Sequence, residues 1–443
     1  MRIAVVGSGI SGLAAAYRLR ERHDVTIFEA NGYLGGHTNT VDVAIAGEQH
    51  AVDTGFIVFN DRTYPHFCAL LSELGVESRQ TSMSFSVRCD RTGLEYNGTS
   101  LNGLFAQRRN LIRPRFYQML RDILRFNREA AQLAVGGDDA ESNRRMTVRE
   151  YLDLQRYSRE FIDHYLVPMG SAIWSSPSGR FGGFPIRFVA EFFHNHGLLS
   201  LRDRPTWRVV EGGSRSYVTA MRARFGRRVV VRLNSPVQSV RRSQEDVAIQ
   251  LRAGGVERFD HILFACHADQ ALRMLADPSQ AEREILSAFP YERNVALLHT
   301  DASMLPRNRR AWASWNARVS ERDESHATVT YCMNILQQIR SRHVFCVSLN
   351  SEEFVDRSRV IGRFVYEHPV FNSRRDAAQA RQQELLSVNR SSYCGAYWRN
   401  GFHEDGVMSA LAVCRALENM ERSSEDSRLR PLPALQPIGC ATS

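Results

Sequence analysis

The stretch IAVVGSGISGLAAAYRLRERHDVTIFEA, residues 3–30, carries the strongest fold signal in this sequence. Residues 3–6 form a short apolar run that predicts a buried parallel strand, and residues 13–20 have the composition of a helix. The glycine turn GSGISG, residues 7–12, lies between them. Such a turn presents the N-terminus of the helix to a phosphate, so the stretch predicts a dinucleotide-binding βαβ unit.

The glycines of this turn have different tasks. Gly7 permits the tight turn, Gly9 lets the backbone approach a pyrophosphate, and Gly12 lets helix and strand pack closely. A second predicted strand, residues 25–28, ends at Glu29, whose carboxylate would accept hydrogen bonds from a ribose diol and repel a 2′-phosphate. NADP is therefore disfavoured, and a tight turn that binds nothing is the alternative. The residues of this stretch predicted to contact the dinucleotide are Gly7, Ser8, Gly9, Ile10, Ser11, Gly12, Glu29 and Ala30.

Composition sets bounds on the class of protein. The 443 residues are 43% hydrophobic and 24% charged, which is ordinary for a globular protein of two domains. The net charge is +9, yet the chain has no lysine, which excludes Schiff-base chemistry and a lysine general base. The eight cysteines form no CxxC pair, which argues against a zinc site or a disulfide framework and for a reducing compartment.

Targeting signals are also lacking. The first predicted strand begins at residue 2 or 3, which leaves no room for a signal peptide, and no apolar run reaches the ~18 residues that span a bilayer. We therefore expect a cytoplasmic protein, with contact to the inner face of the membrane as an open alternative.

Two further stretches distinguish a flavin from a nicotinamide. LGGHTNTVDVAIAGEQHAVDTGFIVFN, residues 34–60, places a double-glycine loop and a β-excursion where a simple nicotinamide domain would have a helix. This loop resembles the extension found in the flavin-dependent amine oxidase and phytoene desaturase superfamily, with His37 where those proteins often have arginine. The residues that the resemblance assigns to FAD here are Gly35, Gly36, His37, Thr38, Gly55 and Phe56.

The second stretch opens the last long helix. Glu404 and Asp405 suit the first turn of a helix, where the dipole favours anions, and the N–H groups of Gly406 and Val407 would be left free. In the superfamily such a helix end faces the flavin ring, and Gly395 resembles the glycine of the preceding strand. An ordinary capped helix is the alternative.

The resemblance covers nearly the whole chain. Residues 207–221 match the return from the substrate domain, and Val237 lies in the strand pair on the adenine side. The motifs MGSAIWSSP, FFHNHGLL and CGAYWRNGFHEDG are most similar to a bacterial subfamily of predicted NAD/FAD-binding proteins, some of which are linked to desaturating methyl-branched acyl chains on the way to furan fatty acids.

The resemblance implies an α/β fold in which a Rossmann-like FAD-binding domain of the amine oxidase type is interleaved with a substrate domain of mixed sheet and helices. The ranges expected for the FAD-binding domain are 1–80, 205–275 and 385–425. The ranges expected for the substrate domain are 81–204 and 276–384. Residues 426–443 are polar and rich in proline, which predicts a loose tail.

Residues for the chemistry are harder to assign. Many amine oxidases hold a lysine near the flavin, and none exists here, so typical amine oxidation is disfavoured. Cys394 is interpreted as a small core residue, which implies a non-covalent flavin. His194 and His196 have HxH spacing without a further ligand cluster, so a hydrogen-bonded loop is favoured over a metal site. The aromatic residues proposed for a substrate pocket are Trp174, Trp207, Tyr397 and Trp398, with core packing as the alternative.

Residues 103–128 form a basic amphipathic segment with seven arginines and one acid, Asp122. A surface for an anionic membrane and a helix packed on its own domain are both open. Nucleic acid is not expected, because no module of stacking aromatics and basic residues is present.

These signals together predict an FAD-dependent oxidoreductase that dehydrogenates a lipophilic substrate by hydride transfer to flavin N5. The alternatives are an oxidase of small amines and a flavoprotein that stabilises a partner enzyme of a lipid pathway without turning over. The sequence assigns no catalytic residue and carries no signal for an oligomeric state.

Overall fold

A computed structural model describes residues 1–136, 146–174, 181–200, 202, 204–320, 328–370, 372 and 374–429. The strands are β1 (Arg2–Val6), β2 (Asp24–Phe28), β3 (Thr40–Ile45), β4 (Glu48–Asp53), β5 (Val58–Asn60), β6 (Ser78–Gln80), β7 (Phe85–Cys89), β8 (Leu94–Asn97), β9 (Trp207–Val210), β10 (Val229–Arg232), β11 (Val237–Arg242), β12 (Val247–Leu251), β13 (Val256–Phe259), β14 (His261–Phe264), β15 (Tyr291–His299), β16 (Trp315–Val319), β17 (Thr328–Cys332), β18 (Cys346–Leu349), β19 (Val360–Pro369) and β20 (Ser391–Tyr393).

The α-helices are α1 (Ile10–Leu19), α2 (Pro65–Glu73), α3 (Leu101–Leu104), α4 (Pro114–Val135), α5 (Val148–Leu154), α6 (Arg159–Phe161), α7 (Val167–Trp174), α8 (Ile186–Asn195), α9 (Arg215–Ala223), α10 (Ala268–Met274), α11 (Gln280–Leu286), α12 (Met333–Leu336), α13 (Arg375–Ala380) and α14 (His403–Leu429). A π-helical turn, Ile162–Leu166, joins α6 to α7, and Arg108–Ile112 and Ala396–Trp398 are 3-10 turns.

A parallel sheet in the order β10-β2-β1-β14-β20 forms the centre of the molecule. Successive residues of β1 alternate between its two faces, both of which are covered, and this explains the continuous apolar run of residues 3–6. Helices α1, α2, α9 and α14 cover one face. Strands β11–β13 with helices α10 and α11 cover the other. The predicted α/β class is confirmed.

The glycine turn brings α1 close to the sheet. A Cβ atom on Gly12 would lie 2.1 Å from the carbonyl oxygen of Gly7, and one on Gly7, which has φ of +102°, would lie 2.8 Å from the carbonyl oxygen of Ala265. A Cβ atom on Gly406 would lie 2.7 Å from Ile10, so α14 packs equally closely on α1. Larger residues at these positions would push α1 away from β1 and β14.

A second, mixed sheet has the order β19-β15-β18-β17-β16-β7-β8. Its pairs are antiparallel except for β16 with β7. An aromatic cluster built by helices α4 to α8 packs beside it through Phe85. The parallel sheet draws its strands from the three ranges expected for FAD, and this sheet draws its strands from 81–204 and 276–384. The division into two domains stays a prediction.

The expected β-excursion after the double-glycine loop is the hairpin β3–β4. Its last residue, Asp53, is buried and accepts hydrogen bonds from the hydroxyl of Thr40 (2.5 Å), the backbone N–H of Ser214 (2.9 Å) and the amide of Gln337 (2.8 Å). Burial raises the pKa of Asp53 to about 6. One carboxylate therefore ties the hairpin to the start of α9 and to the segment after α12.

The tail prediction is partly wrong. Residues 426–429 continue α14, because the sequence ENMERSSEDSRL holds no proline or glycine that would end the helix earlier. Residues 430–443 lie outside the described residues. In the part of the chain that the structure describes, no helix combines the length and apolar character needed to cross a membrane.

Candidate cofactor and substrate site

A cavity of about 1080 Å³ lies at the carboxyl ends of the parallel strands. Val6, Phe28 and Ala265, at or just after the ends of β1, β2 and β14, line it, as does Gly395 after β20. Ligands of open α/β sheets bind at this edge. The cavity continues to residues of the second sheet and of α7 and α8, so one space joins the two halves of the fold.

The phosphate-binding geometry predicted from the glycines is present at Gly9. A Cβ atom built on Gly9 would meet no atom within 4 Å, and the residue caps α1 without any side-chain hydrogen bond. The double-glycine loop lies against it, since a Cβ on Gly36 would be 3.2 Å from the Gly9 Cα, and Gly35 donates to the Ser8 carbonyl (3.0 Å). The helix N-terminus therefore faces open space bounded by backbone, which fits a pyrophosphate.

Glu29 is held firmly at the cavity wall. Its Oε2 accepts from the backbone N–H (3.0 Å) and hydroxyl (2.6 Å) of Ser8, and its Oε1 accepts from the backbone (2.8 Å) and amide (3.0 Å) of Asn31. Ala30 and Val237 line the cavity beside it. This arrangement fixes the carboxylate for a ribose diol and closes the phosphate turn at the same time.

His37 lines the cavity next to the double glycine. The Glu367 carbonyl accepts a hydrogen bond from its ring, and Nε2 is buried with no hydrogen-bond partner among the described residues. The ring stacks on Tyr366 with centroids 5.1 Å apart. Burial, with His368 and His267 nearby, holds the pKa of His37 well below its usual value. His37 therefore supplies a neutral acceptor nitrogen where an arginine would supply a positive charge.

The predicted contacts at the start of α14 need correction. Glu404 accepts from the backbone N–H groups of His66 (3.0 Å) and Phe67 (2.9 Å), so it caps α2. Asp405 accepts from the N–H of Phe402 (2.9 Å), and burial raises its pKa to about 6. The residues of α14 predicted for the flavin that lie outside the cavity lining are Glu404, Asp405, Gly406 and Val407.

The residues just before them face the cavity instead. Phe402 and His403 line it, and the Nε2 atom of His403 lies 3.0 Å from the hydroxyls of Thr38 and Tyr217. The His403 ring stacks on Phe56, a predicted contact, at 3.5 Å between centroids. Burial lowers the pKa of His403 to about 3. Thr38 and Gly12, which were also predicted to contact the cofactor, do not line the cavity.

The end of the cavity away from Glu29 has apolar and aromatic walls. Its lining includes Ile57, Met83, Phe85, Met169, Ile173, Trp174, Phe192, His196, Leu198, Trp207, Trp315, Leu336 and Phe402, which we call the aromatic compartment. Trp174, predicted for a substrate pocket, packs on Phe192 with ring centroids 4.9 Å apart. The carboxylates in the described lining of the whole cavity are Glu29 and Glu367, and neither belongs to this compartment. Met169, Trp174 and Phe192 lie in the motifs MGSAIWSSP and FFHNHGLL, but these motifs do not show which of their side chains face the cavity.

Tyr397 and Trp398, also predicted for the pocket, differ. Tyr397 lines the cavity, and its hydroxyl is buried without a hydrogen-bond partner in the described chain. The prediction for Trp398 is wrong: its Nε1 donates to the Tyr393 carbonyl (2.9 Å) and its ring packs on Phe289 at 5.5 Å. Both rings of the 3-10 turn Ala396–Trp398 belong to one core cluster and pack on each other with centroids 5.1 Å apart, but of the two only Tyr397 also lines the cavity.

Cys394 and the two histidines of the HxH pair differ in their surroundings. Cys394 is fully buried in the core and does not line the cavity, as expected for a structural residue. His194 is exposed, whereas His196 lines the aromatic compartment. Across the described residues no group of three or more histidine, cysteine or acidic side chains is placed to hold a metal ion.

This chain is similar to known proteins in sequence and in fold. The model of a family described as flavin containing amine oxidoreductase matches residues 10–300. Protoporphyrinogen oxidase 2 of Arabidopsis thaliana is 40% identical over 82 residues, which is 18% of this chain and 15% of that protein. A 4,4'-diapophytoene desaturase of Staphylococcus aureus is 55% identical over 40 residues, 9% of this chain and 8% of that protein. The matched stretches thus span less than a sixth of these relatives.

Solved structures show the same fold over nearly the whole chain. Putrescine oxidase bound to putrescine has a TM-score of 0.67 at 15% identity, covering 95% of this chain and 100% of that one. Cyclohexylamine oxidase from Brevibacterium oxydans has a TM-score of 0.66 at 16% identity, covering 94% and 99%. A fatty acid isomerase from P. acnes has 0.63 at 14% identity, covering 94% and 98%. At such identities the likeness establishes the fold alone.

Two glycine substitutions separate the cofactor site from the fold. Gly9→Val has room in the protein but fills the space for the pyrophosphate, so we expect a folded protein whose FAD affinity falls by at least about tenfold, or about 1.4 kcal/mol. Gly12→Ala meets the backbone at Gly7, so we expect it to lower the free energy of unfolding by about 1–3 kcal/mol even without cofactor. Flavin absorbance and thermal melting of each purified variant measure the two effects. A Gly9→Val protein with full flavin content would contradict this assignment.

Proposed function

Because this chain belongs to the family of flavin containing amine oxidoreductases, we propose that it is an FAD-dependent oxidoreductase that dehydrogenates an uncharged, lipophilic substrate. The observation that carries the substrate class is the aromatic compartment, whose described lining has no acidic or arginine side chain. A buried ammonium group there would lack a counter-ion, which costs several kcal/mol, about what breaking a buried ion pair costs.

The cofactor is a flavin, and the cavity fits FAD. The N-terminus of α1 with Gly9 and Gly36 would hold the pyrophosphate, and Glu29 would hold the ribose, with Ala30 and Val237 beside it. When bound, the isoalloxazine ring supplies a two-electron acceptor for a substrate hydride. The buried position of Cys394 in the core supports a non-covalent attachment.

The choice between a lipid and a small amine rests on the compartment, because the fold serves both. Among the structural neighbours are oxidases named for putrescine and cyclohexylamine, and an isomerase named for a fatty acid. Here the walls are apolar, and the absence of lysine from the sequence removes a common group near the flavin of amine oxidases. A fatty acyl chain, unsaturated or methyl-branched, matches such walls. A non-catalytic flavoprotein would not need a compartment of this kind.

Anaerobic mixing tests the substrate class. We expect phospholipids with oleoyl or methyl-branched chains to bleach the flavin, and putrescine and benzylamine to leave it oxidised. Met169→Glu places a charge in the apolar wall and should abolish reduction by lipid, whereas the matched Met169→Leu should retain it, at equal flavin content and melting temperature. Flavin bleaching by the amines and not by the lipids would contradict the lipid proposal. A flavin that none of these compounds reduces would favour the partner-binding alternative.

We further propose that the basic segment docks on an anionic membrane. Its acid, Asp122, is buried and accepts from the N–H of Ser158 (3.1 Å), so it does not offset the arginines. Helix α4 packs its apolar face inward through Phe116 and Phe126, and this leaves its arginine face outward. The outward residues of this basic surface are Leu101, Arg108, Arg109, Leu111, Ile112, Arg115, Tyr117, Arg121, Leu124 and Arg128.

Two features favour a lipid surface as the occupant. The 3-10 turn Arg108–Ile112 presents Ile112, a residue that is 84% exposed, among arginines that complement acidic head groups. Helix α4 also packs on α8 through Phe126 and Phe193, whose ring centroids are 6.4 Å apart, and Phe192 of α8 lines the aromatic compartment. Helix α8 therefore contacts both helix α4, which carries part of the basic surface, and the proposed acyl site.

Vesicle co-sedimentation tests this surface. We expect binding to phosphatidylserine-containing vesicles at about 1 kcal/mol per engaged arginine, no binding to neutral vesicles, and release by high salt. Ile112→Glu should weaken binding by about tenfold or more, since burial of such a side chain contributes about 1.5–3 kcal/mol. The matched control is Val256→Glu, on the exposed surface of β13. Equal binding of the two variants would contradict the membrane proposal and would favour the alternative, a helix that packs on its own domain.

A further inference from the structure

His196 directly follows α8. Its ring is buried, stacks on Phe192 at 3.9 Å between centroids and faces Trp207 at 6.3 Å and Phe402 at 5.6 Å. All four residues line the aromatic compartment. Phe402 directly precedes His403 and α14, the helix that the family resemblance places at the flavin ring. A polar ring is thus set among apolar walls beside the expected flavin.

A hydrogen bond fixes the tautomer of this ring. Nδ1 lies 3.0 Å from the carbonyl oxygen of Phe192, which can only accept, so Nδ1 carries the hydrogen. Nε2 is then an acceptor with a lone pair. Burial lowers the pKa of His196 to about 4, against the opposing effect of the Phe192 carbonyl. The ring is therefore neutral near pH 7 and able to take up a proton.

Among the described residues, no charged group acts on His196. The rings that face it, on α8, β9 and the loop before α14, belong to phenylalanine and tryptophan, and no charged group shifts its pKa. Other polar groups of the aromatic end do not offer a base: burial raises the pKa of the Tyr64 and Tyr331 phenols and keeps both protonated, and the Ser84 hydroxyl donates to Ser314. His37 lies at the pyrophosphate cradle, and Nε2 of His403 is bonded to Thr38 and Tyr217.

We propose that Nε2 of His196 touches the substrate and accepts the proton that the substrate loses as its new double bond forms. This rests on the proposed function. Dehydrogenation of a CH–CH unit removes one hydride and one proton: the FAD cofactor takes the hydride with both electrons, the second C–H bond supplies the electron pair of the C=C bond, and its proton becomes the N–H of an imidazolium. The Phe192 carbonyl, bonded to Nδ1–H, stabilises that cation.

The HNH motif offers a matched pair of variants for the kinetic test. His196→Gln keeps a polar side chain but no base, and His194→Gln changes the exposed histidine two residues earlier. With the oleoyl phospholipid as probe, we expect anaerobic flavin reduction to slow by about 100- to 10,000-fold in His196→Gln and to change less than about twofold in His194→Gln. Flavin content and melting temperature should match the wild type. The wild-type rate should fall as pH is lowered towards 4, where the base becomes protonated, and His196→Gln should lack this fall.

Nitrogen NMR of the holoenzyme labelled with 15N-histidine gives a readout that needs no turnover. The His196 signals, identified by their loss in His196→Gln, should show an unprotonated Nε2 at pH 7 that shifts when oleyl alcohol is added, while His194 stays unchanged. A protonated Nε2, or one that saturating oleyl alcohol does not shift, would overturn the assignment. Equal reduction rates in wild type and His196→Gln would overturn the proton transfer alone. A wild-type flavin that acyl lipid does not reduce would overturn both the proton transfer and the proposed function.

Discussion

The close approach of α1 to the turn after β1 is the constraint on which the site depends. No side chain fits between them, because a methyl group at Gly12 would lie 2.1 Å from the Gly7 oxygen. The same helix accepts α14 against its first turn only because residue 406 is glycine. With its sides covered by these contacts, α1 presents its N-terminus to the open space at Gly9, where the dipole and the free N–H groups attract an anion. The cofactor site is a consequence of packing that leaves one end of one helix uncovered.

Buried carboxylates then hold the long-range parts of the chain around this centre. Asp53 joins the β3–β4 hairpin to α9 and to the segment after α12, and Glu404 joins the start of α14 to the start of α2. Both act where a helix begins, so backbone N–H groups and the helix dipole offset the cost of burying the charge. Glu29 likewise accepts hydrogen bonds from backbone N–H groups, those of Ser8 in the phosphate turn and of Asn31. These residues position the walls of the cavity, and the aromatic compartment is formed where the second sheet and α8 meet them.

The sequence was sufficient for features that are local. The strand, glycine turn, helix and acid of residues 3–30 fold as a unit, and the double-glycine loop follows directly, so their positions could be predicted. The contacts at the start of α14 could not be predicted in this way. Glu404 accepts hydrogen bonds from backbone N–H groups that lie 337 and 338 residues away in the sequence, and no local pattern reveals such partners. Trp398 was misplaced for a related reason: a short turn decides which of two adjacent aromatics faces the cavity. His196 was noted only for its HxH spacing, which does not tell which of the two rings the tertiary fold buries.

The most direct test of the account is the state of the cofactor in the purified protein. The cavity, the phosphate turn and the core position of Cys394 predict a yellow protein that releases FAD into the supernatant when it is precipitated with acid. A colourless protein that binds NADH instead would contradict the cofactor assignment, and a flavin that stays with the pellet would contradict non-covalent attachment.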